Sequence, residues 1–252
     1  GAQDDFFALG GDSIKALQIM ARMAEAGLAI SVAELFRLRT VTALAAATGR
    51  AGDAEEIPAY AGPAALSPLQ QWFFKTHQTE RQHYNHALLF ATARLEARAV
   101  REAAETLWQR HDALRAVFAE SAGGEITQTI QPAETRATVF AEIDLRAAHD
   151  AGAALTAEAT ARQSAWDLAK GPLFTVILYH LPDSDRLLFL AHHLVVDGVT
   201  WRVLLEDFET ALRQRRAGRE IRLPARTAGF AQWTAQVEEY ARAGRAAAAL
   251  PN

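Results

Sequence analysis

Two strongly apolar segments constrain the fold of this chain more than any other feature. They are LFTVILYHL at residues 173–181 and RLLFLAHHL at residues 186–194. Each has the length of a buried strand, and the turn-forming sequence PDSD between them favours an antiparallel hairpin. The sequence therefore predicts two central strands of one sheet, and the second strand runs into a pair of histidines.

Helical and strand patterns surround this hairpin. The clearest helix start is Ser67-Pro68-Leu69-Gln70, with a serine cap, proline at the first helical position and glutamine at the third. Further helices are predicted over residues 96–111, 152–166, 199–216 and 227–243, and strands over residues 84–93, 124–130 and 138–145. The helix residues predicted to face the core are Val100, Ala103, Ala104, Leu107, Val203, Leu204, Phe208 and Leu212. This order predicts a mixed α/β domain.

Residues 1–50 predict a separate, small helical unit. One helix begins near Ser13 and is closed by Gly27. The pattern Ser31-Val32-Ala33-Glu34 is a capping box, which predicts the start of a second, short helix. A third helix follows Thr40. The unit has few apolar residues at core positions, so we expect its hydrophobic core to be small for a domain that must be stable by itself.

A composition shift divides the chain between this unit and the α/β part. Residues 51–64 carry glycine, proline and alanine with little periodicity, which is typical of a linker. The remaining residues, 65–252, are enough to bury a core of their own. We therefore predict two folded parts joined by this linker.

Charge and cysteine content exclude several classes of function. The net charge is −4 with both signs interspersed, so neither nucleic acid nor an anionic membrane is indicated as a partner. There is no cysteine, which excludes disulfides, thiolate zinc sites and thiol nucleophiles and is compatible with a reducing, cytoplasmic setting. No apolar run approaches the roughly 20 residues of a membrane helix.

The adjacent histidines raise the question of chemistry. Neighbouring residues on a strand point to opposite faces, so His192 and His193 cannot easily hold one ion, and Asp197 alone does not complete a zinc site. No metal site is predicted. Each histidine could be a core residue with satisfied nitrogens. Alternatively, a histidine at a strand end can act as a general base, because its ordinary pKa of about 6.5 suits proton transfer near neutrality.

Several motifs resemble nonribosomal peptide synthetases. The segment FFALGGDSIKALQI at residues 6–19 resembles the attachment segment of peptidyl carrier proteins, and HHLVVDGVTW at residues 192–201 is similar to the HHxxxDG signature of the condensation-like superfamily. Further similar segments, in chain order, are LSPLQQWFF at residues 66–74, RHDALRAVF at 110–118, WDLAKGPLF at 166–174 and LPARTAGFAQW at 223–233. The forms GGDSI, PLQQWFF and VVDGVTWRVLLEDF resemble epimerization domains more than ordinary condensation domains.

The resemblance implies a fold for each part. Residues 1–50 would be a small all-α carrier bundle whose first helix is missing. Residues 65–252 would be the N-terminal lobe of an α/β, chloramphenicol-acetyltransferase-like fold, with a mixed or antiparallel sheet flanked by helices. The second lobe of that fold is not matched by any segment of the chain.

The resemblance also implies roles for particular residues. Ser13 matches the serine that carries a covalent 4′-phosphopantetheine, and the glycines before it permit a tight turn at a helix start. His193 matches the catalytic base. His192 would orient the loop, and Asp197 would pair with Arg115 in a structural role.

Three other residues of this region carry weaker expectations. Gly198 would let the backbone approach the substrate or form an ordinary turn. Trp72 and Trp201 are expected to be core aromatics rather than substrate platforms. The partner acid or base, a glutamate in the family, would lie in the second lobe.

The activity implied is inversion of an aminoacyl or peptidyl thioester from L to D at the α-carbon, an isomerase reaction, for which this segment alone would not suffice. Two alternatives remain: a condensation domain that forms an amide bond, and a noncatalytic carrier-docking module. The implied partners are a phosphopantetheinyl transferase, an upstream adenylation domain, the second lobe, and a downstream condensation domain or module.

Overall fold

The computed structural model describes residues 1–30, 32–50, 57–224, 226 and 229–244. Some side chains of the first fifty residues, that of Ser13 among them, lie outside this description. The chain divides into two units, Gly1–Glu56 and Ile57–Asn252, each with its own internal contacts. Within the described residues, no helix combines the length and apolar character that a membrane crossing needs.

Three helices build the first unit. They are α1 (Ser13–Glu25), α2 (Val32–Leu38) and α3 (Val41–Ala47), and a two-residue antiparallel pair joins β1 (Leu28–Ala29) to β2 (Gly49–Arg50). The predicted helix start at Ser13 is confirmed by α1. The predicted helix after Thr40 is confirmed by α3, where the Thr40 side chain accepts a hydrogen bond from the Ala43 amide at 3.2 Å. The predicted capping box at Ser31 lies outside the described residues.

A four-stranded sheet forms the centre of the second unit. Its order is β4 (Asn85–Thr92), β9 (Asp185–His192), β8 (Phe174–His180) and β7 (Phe140–Asp144). The β8–β9 and β4–β9 pairs are antiparallel, while β7 and β8 run parallel. The predicted antiparallel hairpin is confirmed, and both of its strands are central.

Burial on both faces explains why β8 and β9 are continuously apolar. Successive residues of β8 alternate between two clusters: Val176 and Leu178 lie in the main core, while Ile177 and Tyr179 pack in a second cluster with Leu155. The helices of this unit are α4 (Pro68–Thr76), α5 (Ala97–Arg110), α6 (Ala151–Gln163), α7 (Thr200–Arg216) and α8 (Phe230–Arg242). Helices α5 and α7 contribute to the main core, and α6 covers the opposite face.

A second, three-stranded sheet corrects one prediction. Its order is β3 (Gly62–Ala64), β6 (Ile126–Ile130) and β5 (Ala116–Glu120), all antiparallel. Residues 62–64, predicted as the end of the linker, are therefore strand β3. The reason is tertiary, since these residues gain a backbone partner in β6 from a distant part of the chain, which their own composition does not reveal.

The prediction of which helix residues face the core was correct for α5 and partly wrong for α7. All four α5 residues predicted to face the core are fully buried: Val100, Ala103, Ala104 and Leu107. Val203 of α7, however, is 47% exposed, because it lies one residue before Leu204 and so falls outside the buried stripe of that helix. Trp72 is likewise 54% exposed rather than in the core, since the buried face of α4 carries Phe73 and Phe74 instead.

Candidate active site

The strand β9 ends at His192, and His193 is the first residue beyond it. The backbone N–H of His193 donates to the carbonyl of Tyr84 at 2.9 Å, which holds this loop against the residue preceding β4. The half-buried His193 lines a cavity of about 420 Å³, together with residues of α4, α8 and the loop itself. The strand end therefore presents a histidine to an open space.

His192 is the structural member of the pair. It is fully buried, its Nε2–H donates to the carbonyl of Arg81 at 2.7 Å, and its Nδ1 accepts from the Leu194 amide at 3.1 Å. Burial lowers the pKa of His192 to about 4, so the ring is neutral near pH 7. This geometry suits the loop-orienting role predicted for it and leaves no nitrogen for proton transfer.

His193 has the opposite arrangement. Its Nδ1 lies 2.9 Å from the carbonyl oxygen of Val196, and because a carbonyl only accepts, Nδ1 carries the proton. The lone pair is then on Nε2, to which no described residue donates a hydrogen bond. The ring stacks on Tyr84, with centroids 5.1 Å apart and planes 12° apart. The side chain is thus prepared to accept a proton at Nε2.

Asp197 organises the turn that leads into α7. Its Oδ1 accepts hydrogen bonds from the Val199 amide at 3.0 Å, the Thr200 amide at 2.7 Å and the Thr200 hydroxyl at 2.7 Å. Partial desolvation raises the pKa of the Asp197 carboxyl, but these hydrogen bonds and the nearby His193 outweigh it, so the pKa lies below its usual value. Asp197 is therefore a carboxylate at neutral pH, next to the candidate base.

The predicted pair between Asp197 and Arg115 is wrong. Arg115 is fully buried and donates to Asp112 Oδ1 at 2.9 Å, to the Gln131 carbonyl at 2.8 Å and to the Tyr60 carbonyl at 2.8 Å. The short 3₁₀ turn that contains both Asp112 and Arg115 brings these two side chains together locally. Asp197 satisfies its Oδ1 within its own loop instead. Arg115 therefore supports the join between α5, β3 and β6.

Two further predictions concern residues around the loop. Gly198 is exposed, and a Cβ built on it would meet no atom within 4 Å. The fold itself therefore does not require glycine there, and its role in approach to a substrate stays a prediction. Trp72, expected in the core, instead lines the cavity beside His193.

His86 and Tyr84 are site residues that the sequence analysis missed. The register between β4 and β9 places Asn85 opposite His192 and His86 opposite Ala191. Because side chains alternate between the faces of a strand, Tyr84 and His86 lie on the face that His193 shares. The His86 and His193 rings are 4.0 Å apart between centroids. A histidine in a predicted strand was the available signal, but it becomes informative only when the partner strand is known.

A hydrogen bond from Trp201 fixes the tautomer of His86. The indole N–H of Trp201 donates to His86 Nδ1 at 3.0 Å, so the proton of the neutral His86 ring is on Nε2. Burial lowers the pKa of His86, and His193 lowers it further, against a smaller opposing effect of Asp197. Trp201 is 5% exposed, in line with its predicted core position.

The predicted attachment segment forms a turn before α1. Gly10 has a φ of 86°, which favours glycine, and a Cβ on Gly11 would come within 2.5 Å of the Phe6 carbonyl oxygen. Asp12 Oδ1 accepts from the Lys15 amide at 2.8 Å, and Lys15 Nζ donates to the Gly10 carbonyl at 2.7 Å. The two glycines thus bring the chain tightly to the helix start at Ser13.

Two families match the chain, each over one of its units. The family described as "Condensation domain" matches residues 60–248, and the one described as "Phosphopantetheine attachment site" matches residues 1–48. The chain therefore belongs to the condensation-domain family and carries a phosphopantetheine attachment segment. The prosthetic group of that segment is 4′-phosphopantetheine, and the Gly10–Gly11 turn at the start of α1 is compatible with attachment there.

Large synthetases are similar to nearly the whole chain. Tyrocidine synthase 2 of Brevibacillus parabrevis is 38% identical over 242 residues, which are 96% of this chain and 7% of that protein. Tyrocidine synthase 1 of the same organism is 34% identical over 245 residues, which are 96% of this chain and 22% of that protein. These relatives confirm the resemblance to nonribosomal peptide synthetases, of which this chain spans a small part.

Solved structures confirm the fold of the second unit. The epimerization domain from the third module of tyrocidine synthetase B is 36% identical with a TM-score of 0.72, covering 76% of this chain and 44% of that one. The starter condensation domain of rhizomide synthetase is 24% identical with a TM-score of 0.61, covering 73% and 45%. The predicted acetyltransferase-like lobe is thus confirmed, and the chain spans less than half of each compared domain.

Proposed function

We propose that this chain is the carrier segment and first lobe of an epimerization unit, which inverts the α-carbon of an aminoacyl or peptidyl thioester carried on 4′-phosphopantetheine. Ser13 is the proposed attachment residue and His193 the proposed base. The observation that carries this proposal is the tautomer of His193, whose Nδ1–H is committed to the Val196 carbonyl. The remaining nitrogen, Nε2, is the one that can take a proton.

The role proposed for His193 is proton transfer at Nε2. The prosthetic group, when attached, would present a thioester whose carbonyl makes the neighbouring α-hydrogen acidic. Nε2 of His193 takes that proton, and a proton is returned to the opposite face of the same carbon. General acid–base catalysis of this kind typically contributes about 10²- to 10⁴-fold to a rate.

A carboxylate and an aromatic face lie beside His193. Asp197 lies close enough for its carboxylate charge to interact with the imidazole. The face of Tyr84 stacks against the ring, with 5.1 Å between centroids, and an aromatic face attracts a cation at such a distance. A developing imidazolium would therefore meet an anion and a π-face rather than a second cation.

Similarity to known domains supports the epimerase over a condensation role. The epimerization domain of tyrocidine synthetase B shares 36% identity with this chain, whereas the condensation domain of rhizomide synthetase shares 24%, which supports the fold alone. The proposed partners are a phosphopantetheinyl transferase, an upstream adenylation domain, a second lobe that supplies the returning acid, and a downstream condensation domain or module.

The test uses the chain together with its second lobe, with the attachment serine loaded by a transferase and an L-aminoacyl group. In D₂O, we expect deuterium to enter the α-carbon and the product to become a mixture of L and D forms. His193→Ala should lose about 10²-fold or more of this exchange. His149→Ala removes an exposed histidine and serves as the matched control.

Three outcomes would overturn the proposal. Formation of a new amide with an added acceptor, without deuterium at the α-carbon, would identify a condensation domain. Carrier binding with neither exchange nor amide formation would identify a docking module. Undiminished exchange by His193→Ala would place the base elsewhere.

A further inference from the structure

Two side chains, Trp201 and His86, form a continuous contact behind the candidate base. The Trp201 indole N–H donates to His86 Nδ1 at 3.0 Å, and the His86 ring lies 4.0 Å from the His193 ring, between centroids. We propose that His86, held by Trp201, is a positioning residue that fixes the orientation of His193 and stays neutral while His193 takes up a proton. This inference rests on the function proposed for His193.

The hydrogen bond from Trp201 determines which nitrogen of His86 can be protonated. An indole N–H only donates, so Nδ1 of His86 must accept, and protonation of that nitrogen would break the bond. The pKa of His86 lies below its ordinary value because of burial and the nearby His193. A neutral neighbour matters, since a charged His86 ring would oppose charge on His193 at this distance.

Trp201 is itself held firmly. It is 5% exposed in the first turn of α7, and its ring meets the edge of Phe189 at 6.4 Å between centroids. Its backbone N–H donates to the Asp197 carbonyl at 3.1 Å, which begins the helix at the turn that follows the histidines. The donor to His86 is therefore fixed by the same helix whose start Asp197 organises.

The position of His86 restrains the candidate base through the sheet. Tyr84 and His86 are two residues apart, so they share one face of the chain, and both rings contact His193. The Nδ1–H of His193 is anchored to Val196 on the loop side. Rotation of the His193 ring would therefore have to displace His86 or break that bond, which is how packing locks a functional side chain.

The groups that can change charge around this pair are few. Asp197 faces His193 from the loop, and Tyr84 faces it from the residues before β4. His77, at the end of α4, contacts Tyr84 rather than His193, with 5.2 Å between ring centroids. Within the described residues, the contacts to His86 that bear on its protonation are those with Trp201, His193 and Asp197.

The decisive experiment measures tautomers directly, by long-range ¹⁵N–¹H NMR of the histidine side chains. In the wild-type chain we expect the proton on Nδ1 in His193 and on Nε2 in His86 near pH 7. Trp201→Phe keeps a ring but removes the donor that protonation of Nδ1 would break, so both tautomers of His86 should appear and its titration midpoint should rise. Trp108→Phe is the matched control, since that indole is 3% exposed and its N–H has no hydrogen-bond partner among the described residues.

Activity of the two-lobe protein supplies a second readout. For Trp201→Phe we expect the acidic limb of the deuterium-exchange pH profile to move to higher pH, because a second imidazole can now take a proton. His86→Leu keeps bulk at the site but loses the ring contact, and should lower kcat about tenfold with little change in KM. The Trp108→Phe control should leave both profiles unchanged.

These readouts separate this inference from the proposed function. An unchanged His86 tautomer and titration in Trp201→Phe, or an unchanged kcat in His86→Leu, would overturn the positioning role even in an active epimerase. Absence of exchange in the wild-type protein, with the expected tautomers present, would instead overturn the epimerase proposal.

Discussion

The side-chain amide of Gln70 donates to the backbone carbonyl of Leu194 at 2.9 Å, across 124 positions of the chain. Gln70 Oε1 also accepts from the Ser67 amide at 2.8 Å, which closes the capping box of α4. One buried side chain therefore caps the start of a helix and holds the loop that follows the two histidines.

We expect Gln70→Leu to destabilise the second unit by about 1–3 kcal/mol, because two buried backbone groups lose their partners. Urea unfolding measures this, and hydrogen exchange should accelerate at the Leu194 loop. Gln71→Leu is the matched control, since Gln71 is exposed and its side-chain amide donates to the Leu66 carbonyl at 3.0 Å. Equal unfolding midpoints for the two variants would contradict this role of Gln70.

Arg115 and Asp197 should differ sharply in their effect on stability. Arg115→Met removes one donor to the buried Asp112 carboxylate, which Arg226 still contacts at 3.1 Å. The carbonyls of Tyr60 and Gln131 also lose the donor that Arg115 supplies, and we expect a loss of about 2–4 kcal/mol. Asp197→Ala removes exposed cap-type hydrogen bonds and should cost about 1 kcal/mol. Denaturant titration of both variants checks the order, and a greater loss for Asp197→Ala would refute it.

His180 connects stability to pH through two carboxylates. Burial lowers the pKa of His180, but hydrogen bonds to Asp185 at 2.9 Å and Glu142 at 3.0 Å outweigh it, so the pKa is raised overall. A raised pKa means that the stabilisation is complete below the unfolded value of about 6.5 and is lost as pH rises through the folded pKa. We expect the free energy of unfolding to fall over that interval in the wild type and to stay flat there in His180→Ala.

The exposed His149 again offers the control, because His149→Ala should keep the wild-type slope as pH rises from the unfolded pKa through the folded pKa of His180. Asp185 acts in the opposite direction. Burial raises its pKa, but bonds from the Leu95 amide, His180 and Arg94 outweigh burial, so its contribution is present above about pH 3.9 and is lost as pH falls through the folded pKa. Identical pH profiles for wild type and His180→Ala would show that this cluster does not couple protons to folding.

Ser13 is predicted to be the attachment residue. Incubation with a phosphopantetheinyl transferase and coenzyme A should increase the intact mass by one phosphopantetheine in the wild type and leave Ser13→Ala unchanged. The control variant Ser121→Ala, which changes an exposed serine of the second unit, should still gain the mass of one phosphopantetheine. Loading of the Ser13→Ala variant would place the attachment elsewhere.

Local signals in the sequence determined much of the secondary structure. The Ser67 to Gln70 capping box, the buried stripe of α5 and the hairpin of β8 and β9 were all readable, because each depends on residues close together in the chain. The histidine pair with its following acid and glycine likewise indicated where the site would lie.

The partners of those residues were decided only by the tertiary structure. Arg115 binds Asp112 rather than Asp197, residues 62–64 join a sheet, and His86 meets His193 through the pairing of β4 with β9. Each of these contacts depends on strand pairing and turn geometry between separate segments, whereas periodicity reports only which face of an element is apolar. The resemblance of the histidine segment to a known signature therefore identified the candidate base, and the packing of distant segments determined its tautomer and its neighbours.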